Sequence, residues 1–207
     1  MKNTKLQILS EARTLFNQKG FSNVTIRMIA NELGMSSGNL NYHFKTREAI
    51  LEALYFEMVE VFDARVASLG TQKITMKSIG SDIYSSLERM QDYRFFWTDL
   101  YNLLRLSKAI KAHFSEAYYR RVEGCNYLFD FLINQDLMLS FESTLERDFL
   151  IERMIDFSNT WLYNSSVYEK PQNKFYIQKQ THKMLMMLYP YFTSKGKTAL
   201  KNSFPIL

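Results

Sequence analysis

The chain has 207 residues, 46% hydrophobic and 23% charged, with only seven glycines and three prolines. So few turn formers exclude a fold built of many short strands and point to an all-α protein. The net charge of +5 gathers at one end: residues 1–47 hold seven Lys or Arg against two acids, and basic and acidic residues balance over the remainder.

That asymmetry points to a polyanion as the partner of the N-terminal end. A single cysteine, Cys125, excludes an internal disulfide and a cysteine-based zinc site, and it fits a reducing, cytoplasmic setting. The opening Met-Lys-Asn-Thr-Lys lacks the apolar run of a signal peptide. No stretch approaches the roughly 18 consecutive apolar residues of a membrane span, so no membrane partner is expected.

A first helix is predicted over residues 4–19, where Leu6, Leu9, Ala12 and Phe16 (with Ile8 and Leu15) recur at three- and four-residue spacing. Gly20 supplies its stop. Thr25 is the expected N-cap of a second helix whose buried face is Ile26, Ile29, Ala30 and Leu33. Gly34 ends that helix and turns the chain sharply. Ser36 then caps a short third helix carrying residues 37–42.

Thr46 opens a fourth helix, with Glu48 in its first turn where a negative charge suits the helix dipole. Ile50, Leu51, Leu54, Tyr55, Met58, Phe62 and Val66 form its apolar stripe, to about residue 68. A break is expected at residues 70–74. A soft domain boundary is placed inside this fourth helix, near residue 50, giving a basic N-terminal domain at 1–50 and a helical domain at 51–207.

Five or so further helices are expected beyond residue 76. Ile79, Ile83, Leu87 and Met90 make one stripe, and residues 95–106 continue as an aromatic, leucine-rich segment. Phe114, Tyr118, Arg121, Cys125, Leu128 and Leu132 line one face of a long helix. Residues 145–163 form another. Residues 175–188 form the last, stopped by Pro190.

Residues 25–45 carry the clearest chemistry. Two short helices joined by a tight turn, the second ending in an aromatic and basic cluster, have the layout of a helix-turn-helix DNA reader, with the motif at about 25–44. Ser36, Ser37, Gly38, Asn39 and Asn41 are small or amide side chains that let a helix approach base edges, and Asn can pair bidentately with adenine. Gly38 reads either as close approach to the DNA backbone or as simple tolerance in a short helix. Tyr42, His43 and Lys45 bring a phenol, an imidazole and an ammonium into one turn, a combination suited to gripping phosphates. His43 could equally be a helix C-cap. Thr25 and Arg27 are further phosphate candidates, with capping and a solvated surface charge as their plainer readings. Leu40 and Phe44 are expected in the core.

Together these features resemble the N-terminal domain of TetR-type (TetR/AcrR) transcriptional regulators. The resemblance rests on Leu15-Phe16 with Gly20-Phe21, on residues 25–30 (Thr-Ile-Arg-Met-Ile-Ala), on Gly34-Met-Ser36, on residues 40–45 (Leu-Asn-Tyr-His-Phe-Lys), and on Glu48 and Leu51. It covers about a quarter of the chain. It implies a homodimer paired through C-terminal helices, a double-stranded DNA operator read by helix three (about 36–43), and a divergent C-terminal domain that senses a small ligand. It also strengthens His43 as a DNA contact. Arg47 stands where a lysine is common in the family, a change that keeps the charge. Asn41 replaces a more usual apolar or aromatic companion of Tyr42.

An effector pocket, if mostly apolar and aromatic with a few polar anchors, would draw on Trp97, Tyr101, Tyr118, Cys125, Asn126, Phe157 and Trp161. Each also reads as ordinary core. In the 145–163 helix, Leu150, Met154, Phe157 and Trp161 form one face, and Ile151, Ile155, Ser158 and Leu162 its neighbour. A helix that wide in apolar character buries two surfaces, one for a pocket and one for a subunit interface. Phe175, Met184, Leu185, Met187 and Leu188 support the same reading. Methionines suit such adaptable surfaces.

Catalysis finds little support. The three histidines, His43, His113 and His182, lie far apart, and no nucleophile elbow, glycine-rich phosphate loop or metal-ligand spacing occurs. His113 with Glu116 and Glu123 reads as a solvated helix face rather than a metal set. No cofactor is expected. The expected function is a sequence-specific, ligand-responsive repressor. The alternatives are a helical sensor or adaptor acting through protein contacts, with a vestigial DNA end, and an enzyme using the aromatic pocket, against which the lack of clustered acid-base groups argues.

Overall fold

In the computed structural model, residues 2–69 and 73–204 are described. They form eleven α-helices, two short 3-10 turns and no strand beyond an isolated bridge between Met138 and Phe192. The chain packs as two compact units, one of residues 1–68 and 92–113, the other of residues 69–91 and 114–207. Compactness thus divides the chain elsewhere than the soft domain boundary expected near residue 50.

In the first unit, α1 (Lys2–Lys19), α2 (Ile26–Glu32), α3 (Ser37–His43) and α4 (Arg47–Leu69) follow the predicted order. Their apolar spacing closes on a core of Ile8, Ala12, Leu15, Phe16, Ile29, Ala30, Leu40, Leu51 and Leu54, each at most 3% exposed. Leu6, counted on the first apolar stripe, is instead exposed. Two short helices, α6 (Arg94–Thr98) and α7 (Leu100–Leu106), complete this unit. Phe16 lies between Phe21 and Phe95, with ring centroids 5.0 and 5.2 Å away. Asn17 fastens the end of α1 to the start of α6: its amide nitrogen donates to the Asp92 carbonyl at 2.8 Å, and its oxygen accepts from the Phe95 amide at 3.1 Å.

A half-buried polar knot lies beside them. The Tyr93 hydroxyl donates to Glu57 at 2.5 Å and accepts from Arg13 at 3.1 Å, and Arg13 lies 3.6 Å from Glu57. Burial, then the Glu57 carboxylate, raises the Tyr93 phenol to about 12, against a smaller pull downward from Arg13.

The second unit comprises α5 (Met76–Asp92), most of α8 (Lys108–Asn134), α9 (Thr144–Val167), α10 (Lys174–Leu188) and α11 (Ser194–Ser203). Its core joins Met76, Ile79, Phe129, Leu132, Leu150, Ile151, Met154, Ile155, Leu185, Leu188 and Leu200. Ser143 caps α9 by accepting from Glu146 N at 3.1 Å, and Asn173 caps α10 by accepting from Tyr176 N at 2.9 Å.

Three expectations need correction here. The predicted 95–106 segment is two helices, interrupted at Asp99. Seven helices, not about five, follow residue 75 among the described residues. One of them, α11, lies beyond the predicted stop. Pro190 does end α10, in a 3-10 turn, but Thr193 restarts the helix by accepting from Gly196 N at 3.0 Å. A side chain at Gly196 would run into the Leu137 carbonyl, so glycine is what lets α11 dock there. Of the predicted break at residues 70–74, residues 70–72 lie outside the described residues.

Candidate nucleic-acid interface

Residues 25–45 are held by local chemistry at each junction. The Thr25 hydroxyl accepts from Met28 N at 3.2 Å and begins α2. Gly34 adopts φ 63°, a left-handed conformation that costs glycine nothing, and its amide and that of Met35 cap the end of α2 on Asn31 O and Ala30 O. The Ser36 hydroxyl accepts from Asn39 N at 3.1 Å and begins α3.

Leu40 and Phe44 turn inward, fully buried and 9% exposed, and pin α3 to the unit's core. Lys5 approaches the Phe44 ring at 5.9 Å. The opposite side of α3 is left open: Ser36, Gly38, Asn39, Asn41 and Tyr42 are exposed, with Tyr42 at 71%. Ser37 and His43 are half-buried, and Lys45, Thr25 and Arg27 are exposed. The Tyr42 and His43 rings meet edge to face at 5.3 Å. A Cβ placed at Gly38 would meet only Ser36 Oγ, at 3.8 Å, so packing within the fold does not demand glycine there.

One residue does more than its charge suggested. Arg47 donates to the carbonyls of Val24 at 2.9 Å, Phe21 at 3.1 Å and Ser22 at 3.3 Å, and stacks on the Phe21 ring. It thereby fixes the 3-10 turn at Phe21–Asn23 and the lead into α2. The available signal was the change from lysine to arginine, because only arginine carries a flat fork of donors.

The effector candidates fall in both units. Trp97 (7% exposed, edge-on to Phe96) and Tyr101 (73% exposed, with Arg105 over its ring) belong to the first. Neither lines that unit's surface cleft of about 390 Å³, which includes Arg47, Asp99, Asn102 and Arg105. In the second unit, Tyr118 is exposed beside Tyr119, Cys125, Asn126 and Phe157 are half-buried, and Trp161 is buried. The Asn126 carbonyl accepts from Arg147, which also pairs with Asp130 at 2.8 Å.

Arg121 was read only as a member of a helix stripe. It donates to Asn159 Oδ1 at 2.8 Å and to Ser158 Oγ. Burial pushes its pKa below the usual range, while Cys125 and Asp156 pull it back up. Burial likewise raises the Cys125 thiol, and Arg121 opposes that. His113 is engaged through Nδ1 with the Tyr55 hydroxyl at 2.8 Å.

Comparison with known proteins is decisive at this point. Residues 8–54 match the family model described as bacterial regulatory proteins, tetR family, and residues 57–200 match one described as bacterial transcriptional repressor. The second match alone covers more than half of the chain.

The chain belongs to the TetR family.

Similarity to individual TetR-family proteins is lower. The chain is 24% identical over 136 residues to Probable HTH-type transcriptional regulator YttP of Bacillus subtilis, covering 64% of each chain. It thus spans less than two thirds of that relative. It is 32% identical over 54 residues to HTH-type transcriptional regulator UidR of Escherichia coli, 26% of this chain and 28% of that one. Among solved structures, a TetR-family transcriptional regulator from Marinobacter aquaeolei superimposes with a TM-score of 0.86 at 23% identity, covering 97% of each chain. A chain from Saccharomonospora viridis solved in complex with choline gives 0.70 at 21% identity, covering 93% of this chain and all of that one. At these identities the structural matches speak for the shared fold. No helix among the described residues is long and apolar enough to cross a membrane.

Proposed function

We propose that this TetR-family protein is a dimeric, sequence-specific DNA-binding repressor that responds to a small effector. The observation that carries this reading is the two-sided character of α3. Leu40 and Phe44 fix the helix from beneath, while Ser36, Gly38, Asn39, Asn41 and Tyr42 stand free above a segment that holds the chain's net positive charge. Small and amide side chains read base edges in the major groove; Tyr42, His43, Lys45, Thr25 and Arg27 bind flanking phosphates and set the register. Residues 1–50 act as the reader, and residues 51–207 sense the effector and join the two copies.

A helix as short as α3 reaches one half-site, so reading a palindrome takes two copies. Support for pairing through the second unit comes from exposed apolar side chains: Leu145, Phe149, Tyr163 and Val167 on α9, and Tyr119 and Tyr127 on α8. Effector binding would then favour a spacing of the two readers that no longer fits both half-sites, which requires different effector affinities in the two states. The Saccharomonospora viridis chain of the same fold was solved in complex with choline, which supports a small organic effector.

Footprinting on the DNA upstream of the protein's own gene tests the reading. Protection of a near-palindrome in moderate salt, by a particle of twice the chain mass, is expected. A monomer, or no protected palindrome, contradicts it.

A further inference from the structure

The second unit holds a positive charge that its own side chains do not match. Arg121 on α8 gives its two hydrogen bonds to neutral oxygens, Asn159 Oδ1 and Ser158 Oγ. The Ser158 hydroxyl already donates to the Ile155 carbonyl at 2.8 Å, so it offers Arg121 only a lone pair. Asp156, exposed on α9, acts on Arg121 from beyond contact, and no carboxylate among the described residues pairs with it directly. A guanidinium has five N–H donors in a flat fork matched to a carboxylate. Here a half-buried one is left with none.

Two further donors lie on α9 and on α10, which packs against it. Trp161 follows Ser158 by one turn on the buried face of α9, is 2% exposed, and its indole N–H has no partner. Gln180 of α10 is also 2% exposed, and its amide nitrogen has no partner. Tyr176, one turn before Gln180, places its ring 6.3 Å from that of Trp161, so both donors border one α9–α10 seam. Buried donors are ordinarily satisfied, and two left open, with Trp161 one helical turn from the Arg121–Ser158 contact, describe a missing acceptor with a negative charge. Close to Arg121 and Ser158 along α8 and α9, Met154 and Ile155 belong to the unit's apolar core, and Val122 and Cys125 pack against it.

We propose that the second unit binds a small monocarboxylate with an apolar body, its carboxylate paired with the Arg121 guanidinium and accepting from the Trp161 indole N–H. A single cation among neutral oxygens matches one negative charge, and a dianion such as phosphate would be left underpaired. The apolar neighbours take the body of the molecule. This names the chemical class of the proposed effector and so rests on the effector-responsive reading, but the binding itself is measured without DNA. A protein that fails to bind an operator can still pass this test, and the converse also holds.

The probes are matched pairs, octanoate with 1-octanol and 4-phenylbutyrate with 4-phenyl-1-butanol, titrated into the full chain by thermal shift and tryptophan fluorescence. In at least one pair the carboxylate is expected to bind about tenfold or more tightly than its alcohol. In Arg121→Met the carboxylate falls to the level of the alcohol, whose retained binding shows that the variant folds. Trp161→Phe weakens the carboxylate severalfold and leaves the alcohol unchanged. Should Arg121→Met not fold, Arg121→Lys keeps the charge without the fork and is expected to weaken the carboxylate alone. Carboxylates that bind no better than their alcohols in both pairs overturn the proposal, as does a folded Arg121→Met that keeps the preference.

Discussion

The Arg47 guanidinium lies 4.2 Å from the centroid of the Phe21 ring and donates at the same time to three backbone carbonyls, those of Phe21, Ser22 and Val24. The first residue of α4 therefore holds the 3-10 turn that leads to Thr25, the cap of α2. Substitution by lysine keeps the charge but loses the stack and the fork. Arg47→Lys is expected to lower stability by about 1–2 kcal/mol, the scale of one or two charge-assisted hydrogen bonds. Urea unfolding checks this: an unchanged midpoint would show that the stack and the three bonds contribute nothing.

Gly38 either lets α3 approach the DNA backbone closely or is simply tolerated in a short helix. Its Cβ position is open, and alanine is the better helix former, so Gly38→Ala should leave the fold intact or stabilise it by about 0.5–1 kcal/mol. If the helix backbone closes on DNA at this point, the added methyl group weakens operator binding at least tenfold. A variant that is both more stable and fully active would make Gly38 a mere helix residue.

Tyr42 and Lys45 are exposed and take no part in the core. Their removal should leave the melting temperature unchanged and weaken binding to all DNA sequences alike. For Lys45→Ala, the slope of log affinity against log salt is expected to fall by about 1, the signature of one lost phosphate contact. Fluorescence anisotropy at several salt concentrations reads this directly. A loss confined to one sequence would instead assign Lys45 to base readout.

The knot of Tyr93, Glu57 and Arg13 gives the first unit an alkaline weak point. The phenol titrates at about 12 in the folded chain, above its ordinary value of 10.0. A raised pKa means that the folded state holds the proton more tightly. Its contribution is therefore complete below about pH 10 and is lost as pH rises through about 12. Denaturation followed from pH 9 to pH 12 should show falling stability, and Tyr93→Phe should flatten that slope. An equal slope in the variant would place the alkaline transition elsewhere.

The first four helices were legible because the junctions between them carry side-chain or glycine signals: Gly20, Thr25, Gly34, Ser36 and Thr46. The Thr46 hydroxyl, for example, accepts from Ala49 N at 3.1 Å at the start of α4. The buried side of α3 was equally plain from the spacing of Leu40 and Phe44. What escaped was long-range. Asn17 reaches residues 92 and 95, and Arg47 reaches back more than twenty residues, through contacts that no local period encodes. The helix at Ser194–Ser203 escaped because it buries little beyond Gly196 and Leu200 and follows a proline. Arg121 stood on an apolar stripe and passed as part of it, since its neutral partners lie on another helix.

The central claim is that the open side of α3 reads a paired DNA site. Footprinting of wild type and Asn41→Ala on the same upstream DNA tests it most directly. The wild type is expected to protect two half-sites centred about 10 base pairs apart, or a multiple of that. Asn41→Ala is predicted to remain folded and dimeric but to lose that protection at salt concentrations where the wild type keeps it. A wild-type protein that protects no site, or a variant with an unchanged footprint, would contradict the assignment of α3 as the reader.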